Sequence, residues 1–83
     1  MNIRFHPHAL ERMAERGATE AEVIATINHG EEIPAKLNRI GFRRNFAIEG
    51  MWRGQQYRNK QIELYAVAEG DNWLVLTVIV KFF

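Results

Sequence analysis

The chain has no cysteine among its 83 residues. Disulfide bonds, thiolate metal sites and nucleophilic thiol chemistry are therefore excluded, and the sequence suits a reducing compartment. It also lacks a long hydrophobic run: the longest, WLVLTVIV at residues 73–80, falls well short of the roughly 20 residues that span a bilayer. The N-terminus reaches His6 and Pro7 without an apolar leader segment. These absences lead us to expect a cytoplasmic protein of bacterial type with no membrane partner. At this length it is a single domain, 1–83, with one modest two-layer core and no room for a cofactor domain, so no cofactor is expected.

Net charge is only +1, but it is unevenly spread. Of the eleven basic residues, seven lie from Lys36 to Lys60 (Lys36, Arg39, Arg43, Arg44, Arg53, Arg58, Lys60), with Glu49 the one acid among them. The preceding segment carries Glu11, Glu15, Glu20, Glu22, Glu31 and Glu32. A basic middle beside an acidic flank suits a protein that holds an anion on one side, and it equally suits a solvated sheet surface.

Residues 2–6, NIRFH, read as a short strand or extended lead-in. Pro7 fits the first position of a helix, where its missing N–H has no partner to lose. That helix runs from about Pro7 to Arg16, with Ala9, Leu10, Met13 and Ala14 as its apolar stripe and Gly17 as its left-handed stop. Thr19 and Glu22 form a capping box, so a second helix starts near Glu20, buries Val23, Ile24 and Ile27, and ends at Gly30.

Beyond Gly30 the pattern shifts toward period 2. KLNRIGFRRNFAIEG offers one or two short strands with Phe42, Phe46 and Ile48 on one face. Gly50, Gly54 and the polar RGQQYRNK suggest a loop. QIELYAVA alternates, with Ile62, Leu64 and Ala66 on one face, and EGDN is a turn. WLVLTVIVKFF is apolar at nearly every position, as expected of a central strand covered on both faces over at least part of its length. The expected architecture is α+β: an N-terminal helical hairpin packed on a mainly antiparallel sheet of about four strands.

On the first helix His8, Arg12 and Arg16 recur every fourth residue and form one winding row. Histidine exchanges protons near neutrality, and arginine offers phosphate a permanently charged planar fork. One histidine and two arginines can therefore support RNA cleavage without a metal. A base takes the ribose 2′-OH proton, an acid protonates the leaving 5′-oxygen, and a cation holds the developing phosphoryl charge. Glu11, Arg12, Glu15 and Arg16 can equally be an ion-pair ladder on a solvated face.

A zinc site from His6 and His8, with Glu11 nearby and His29 distant, lacks paired-ligand spacing, and no metal is expected. Thr77, the polar residue within WLVLTVIV, suits a strand but needs a hydrogen-bond partner and could meet a substrate. Trp52, Tyr57 and Tyr65 could stack on bases, whereas core packing is the use expected of Trp73.

The segment HPHALERMAERGATEAEV resembles the opening of the bacterial domain-of-unknown-function family 4258. Its pattern is His-Ala-x-x-Arg-Met-x-x-Arg-Gly before a Ser/Thr-capped helix. His8, Ala9, Arg12, Met13, Arg16 and Gly17 match that pattern, Thr19 stands at the cap, and VLTVIV is similar to the family's closing strand, with Thr77 and Val78 as its Thr-Val pair. The middle of the chain is only loosely similar. The resemblance implies the barnase, EndoU, colicin and RelE-like nuclease fold, shared by metal-independent ribonucleases and toxin-antitoxin toxins. It further implies His8 as general acid or base, Arg12 and Arg16 as phosphate ligands, and Thr77 as a substrate-facing residue, with His6, Tyr57 or Tyr65 as the group that pairs with His8.

The leading expectation is a small toxin-type ribonuclease that cleaves RNA, free or ribosome-bound, by 2′-OH attack. It would bind RNA along Arg43, Arg44, Arg53, Tyr57, Arg58 and Lys60, and a cognate antitoxin protein would cover that face. The alternative is a non-catalytic nucleic-acid- or protein-binding module on the same fold. A third reading is an interaction protein that forms a homodimer through the apolar C-terminal strand.

Overall fold

Pro7 and the capping box of Thr19 and Glu22 begin two helices where the sequence places them, and Gly17 (φ 79°) ends the first in the left-handed conformation. The computed structural model describes residues 2–83. Its elements are β1 (Asn2–Phe5), α1 (Pro7–Arg16), α2 (Glu20–His29), β2 (Glu31–Pro34), β3 (Arg39–Trp52), β4 (Gln55–Glu69) and β5 (Asn72–Phe82). The fold is a mixed α+β domain with one sheet of five strands, ordered β1-β5-β4-β3-β2.

The expectation of about four strands behind an N-terminal helical hairpin is thus corrected. The helices do not open the chain: β1 precedes them and joins the sheet parallel to β5, while every other pairing is antiparallel. The extended lead-in read at residues 2–6 is β1, a full member of the sheet, and β2, only four residues long, is too short to announce itself by alternation. No helix among the described residues is long and apolar enough to cross a membrane.

Both helices pack on one face of the sheet. Ala9 and Met13 from α1 and Val23 from α2 meet Phe42, Ile62, Leu64, Ala66, Val75 and Val78, all buried. Phe42 meets Trp73 edge to face, with ring centroids 5.6 Å apart. Full burial of an aliphatic side chain stabilises by about 1.5–3 kcal/mol, so Ile62 and Leu64, both wholly buried, anchor this layer. The stripe on α1 is narrower than expected: Leu10 is 42% exposed and Ala14 lies in solvent.

Two further expectations fail for physical reasons. The segment RGQQYRNK is not a loop, because β3 continues to Trp52 and turns back through Arg53 (φ 49°) and Gly54 (φ 82°) into β4. Two successive positive φ values make the tight hairpin turn that matches strand twist. The polar sequence reflects a long ribbon in a molecule 41 Å in its longest extent against 24 and 21 Å in the others. Nor is β5 covered on both faces. It is central, between β1 and β4, but the helices shield one side only, and Ile79 is 43% exposed on the other.

A β-bulge explains why Val75 and Val78, three apart, both point inward. Tyr65 pairs with Thr77 and Ala66 with Val75, leaving Leu76 as the extra residue. The bulge changes the alternation and sets Thr77 on the open face of the sheet beside Tyr65.

Candidate functional site

The start of α1 is built around a histidine. His6 is its N-cap, and its ring Nδ1 accepts the His8 backbone N–H at 3.1 Å. Its own N–H donates to the Val75 carbonyl at 2.9 Å. There the chain leaves β1, and α1 continues beside the stretch of β5 that β1 does not reach.

The row expected on α1 is present, but its three members do different things. His8 is exposed, and its Nε2 accepts from Arg12 Nε at 3.4 Å. Arg12 also meets Glu15 at 3.1 Å, an exposed pair worth a few tenths of a kcal/mol at most. Arg16 turns toward the sheet and donates from Nη1 to the Val78 carbonyl at 2.9 Å. It thereby satisfies a strand-edge carbonyl, and Val78 is the residue beside Thr77.

His6, His8, Leu76, Thr77 and Arg39 line one cleft of about 280 Å³. Arg39, a basic residue that no sequence motif marks as part of a site, is the exposed first residue of β3. Its place beside His8 depends on the strand order and on the bulge at Leu76, neither of which has a short-range signature. No three His, Asp or Glu side chains gather in the manner of a metal site among the described residues, and His29 is the last residue of α2.

The basic middle segment does not form one surface. Arg43 faces Glu31 at 3.5 Å and Glu63 at 3.8 Å. Arg44 reaches the Ala25 carbonyl of α2 at 3.5 Å and lies over the Phe46 ring. Arg53 donates to the Glu15 carbonyl of α1 at 3.0 Å. Tyr57 packs against Phe82, and Arg58 is exposed beside the bulge that puts Ile48 and Glu49 opposite it.

Lys60 is buried, bonded to the Gly17 carbonyl and 2.7 Å from Glu22. Burial alone would raise the Glu22 carboxyl, but hydrogen bonds from Lys60 and the Thr19 backbone, with the Lys60 charge, hold it below its ordinary value. Four of the seven basic residues of this segment are thus engaged within the molecule, Arg44, Arg53 and Lys60 with the helices and their joint and Arg43 with carboxylates of the sheet, while Lys36, Arg39 and Arg58 are exposed.

On the open face Tyr65 donates to Glu63 at 2.8 Å. That hydrogen bond, with burial and the Glu63 charge, raises the Tyr65 hydroxyl above its usual range, against a smaller opposing effect of Arg43. The ring carries its proton at neutral pH and is fixed in place by it.

Together these features define a small α+β domain with an exposed cleft of imidazole, guanidinium and hydroxyl groups where the first helix meets the bulged strand. The family model for a domain of unknown function (DUF4258) matches residues 5–80. The chain belongs to that family. No curated protein and no solved structure matches it.

Proposed function

We infer that the protein is a metal-independent ribonuclease whose active centre is the cleft at His8. The observation that carries this reading is that His8, Arg39 and Thr77 line one cleft, with Arg12 at hydrogen-bond range of the His8 ring. A purely structural histidine has no need of an exposed face beside a guanidinium, whereas a phosphodiester cleavage centre needs both. The implied kinship with RelE-like and barnase-like toxins points the same way, and a protein antitoxin that covers the cleft belongs to this reading.

The hydrogen bonds divide the roles. In the free protein the lone pair of His8 Nε2 accepts from Arg12; when Arg12 turns to the phosphoryl oxygens, that lone pair is freed to act as the general base. It takes the 2′-OH proton as the 2′-oxygen bonds to phosphorus and the bond to the 5′-oxygen breaks. The leaving oxygen takes a proton from the water that the open cleft admits, giving a 2′,3′-cyclic phosphate and a 5′-hydroxyl end. Arg12 and Arg39 hold the phosphoryl oxygens, and Thr77 offers a hydroxyl to the same group.

His6 serves differently. Its Nδ1 is committed to the helix cap, so its Nε2–H is left as a donor toward phosphate and is no second base. Arg16, held on Val78, positions α1 against β5 in this scheme. Labelled RNA incubated in EDTA, with and without ribosomes, tests the reading: cleavage by the wild type and its loss in His8→Ala support it. Intact RNA in both conditions, with equal RNA retention by wild type and His8→Ala, returns the cleft to a binding role.

A further inference from the structure

The cleft does not end at His8. A second compartment of about 350 Å³, with Lys36 and Leu37 of the β2–β3 turn and Tyr65 of β4 in its wall, shares Arg39 and Thr77 with the first. The two compartments therefore adjoin at the same two residues, Arg39 and Thr77.

Its two apolar elements are unusual in complementary ways. Tyr65 lies against Gly41, where a Cβ would stand 3.0 Å from its ring and 2.5 Å from Ile33 Cγ1. Only a glycine lets the ring and Ile33 approach across β3. The Tyr65 hydroxyl is held by Glu63 at 2.8 Å, so the ring is fixed from both ends. Leu37, by contrast, is 80% exposed and adopts φ 61°, followed by Asn38 at φ 60°. This two-residue turn closes with Arg39 N–H donating to the Lys36 carbonyl at 3.2 Å. Asn38 tolerates the left-handed region, but leucine does so at a cost. A strained, exposed leucine at the rim of a cleft is the kind of outlier that marks ligand contact.

We propose that this compartment holds the nucleobase adjoining the phosphate at His8 and Arg39, with the base between the Tyr65 ring and the Leu37 side chain and Lys36 on the neighbouring phosphate. The inference rests on the reading of the cleft as an RNA site. An aromatic ring fixed in place stacks on any base through its π-face, and the apolar leucine covers the other side. Arg39 and Lys36, both in the wall of this compartment, then place a cation on either side of the base. Pocket shape, not base-edge hydrogen bonding, would make the preference one of base size.

The test is titration of ¹⁵N-labelled protein with each of the four 3′-nucleoside monophosphates and with inorganic phosphate, followed by NMR. It is run on wild type, Tyr65→Ala, Tyr65→Phe and Leu37→Gly, beside cleavage assays on the same variants. Nucleotides should bind about tenfold or more tightly than phosphate, in keeping with the strength of base–aromatic stacking, and should shift the amides of residues 36–39 and 65. Tyr65→Ala and Leu37→Gly should lose that advantage, and Tyr65→Phe should keep it. Leu37→Gly relieves the backbone strain, so its loss of binding cannot be laid to unfolding.

Equal affinity for nucleotides and phosphate, or an unchanged nucleotide advantage in both Tyr65→Ala and Leu37→Gly, overturns the base site. The cleavage reading is separable: nucleotide binding at these residues without RNA cleavage refutes the nuclease and keeps the base site, while cleavage unaltered by either variant does the reverse.

Discussion

The ring of His6 caps the helix that carries His8: its Nδ1 accepts the His8 N–H at 3.1 Å. A residue of the cleft thus also starts the element that presents the proposed base, and the two duties can be separated by substitution. His6→Asn, which retains a good N-cap, should leave stability within about 0.5 kcal/mol, whereas His6→Ala should cost about 1 kcal/mol. Both should weaken phosphate binding. Thermal melts beside a phosphate titration measure the two effects, and equal melting temperatures for the two variants would deny the cap.

Lys60 was expected to bind RNA, but its burial against Glu22 and the Gly17 carbonyl makes it a structural group. Lys60→Met should destabilise the fold by about 2 kcal/mol, below the cost of breaking a fully buried pair because Glu22 is partly exposed. The Glu22→Gln/Lys60→Met double variant should recover part of that loss in urea melts.

The lowered Glu22 carboxyl also fixes a pH dependence. Its folded pKa lies below the ordinary 4.5, so its contribution is fully present above that value and is lost as pH falls through the folded pKa. Urea melts from pH 6 to pH 3 should show a shallower loss of stability for Glu22→Gln than for wild type.

Gly17 joins the helices under the Trp52 ring, where a Cβ would stand 2.6 Å from the nearest ring carbon at a φ of 79°. Gly17→Ala should therefore cost about 2–4 kcal/mol, combining left-handed strain with overpacking. Trp52 stacks on Phe82 at 5.1 Å, so its fluorescence should report the disturbance. A melt unchanged from wild type would mean that the ribbon tip does not rest on this joint.

Because Arg43, Arg44, Arg53 and Lys60 of the basic segment are engaged within the fold, RNA retention should depend on few of its members. Arg39→Ala should weaken binding and lower the salt dependence by about one counterion, while Arg44→Ala should leave binding unchanged and lower stability instead. Filter binding at several salt concentrations distinguishes the two.

Much of the local structure was legible because it is written in short-range signals. Pro7, Gly17 and the Thr19–Glu22 box set both helices, and the alternation of Ile62, Leu64 and Ala66 set the buried face of β4. What escaped depends on pairing at a distance. The parallel joining of β1 to β5 has no turn to announce it. The polar residues 53–60 read as a loop because they belong to a ribbon beyond the shelter of the helices. The candidate site was legible at His8, Arg12 and Thr77, which lie on or beside the cleft. Arg39 was not, since its position beside His8 follows from the strand order. Arg16, although in the same helical row, faces the β5 edge, which the spacing of the row alone could not reveal.

The cleft at His8 is best probed by end-group determination on RNA incubated in EDTA with wild type, His8→Ala and Arg39→Ala, ribosomes included. The wild type should give 2′,3′-cyclic phosphate ends, His8→Ala should lose about a hundredfold or more of the activity, in the range general-base catalysis contributes, and Arg39→Ala should show a marked loss. Cleavage at the wild-type rate by His8→Ala, or no cleavage by the wild type with or without ribosomes, would contradict a cleavage centre at His8.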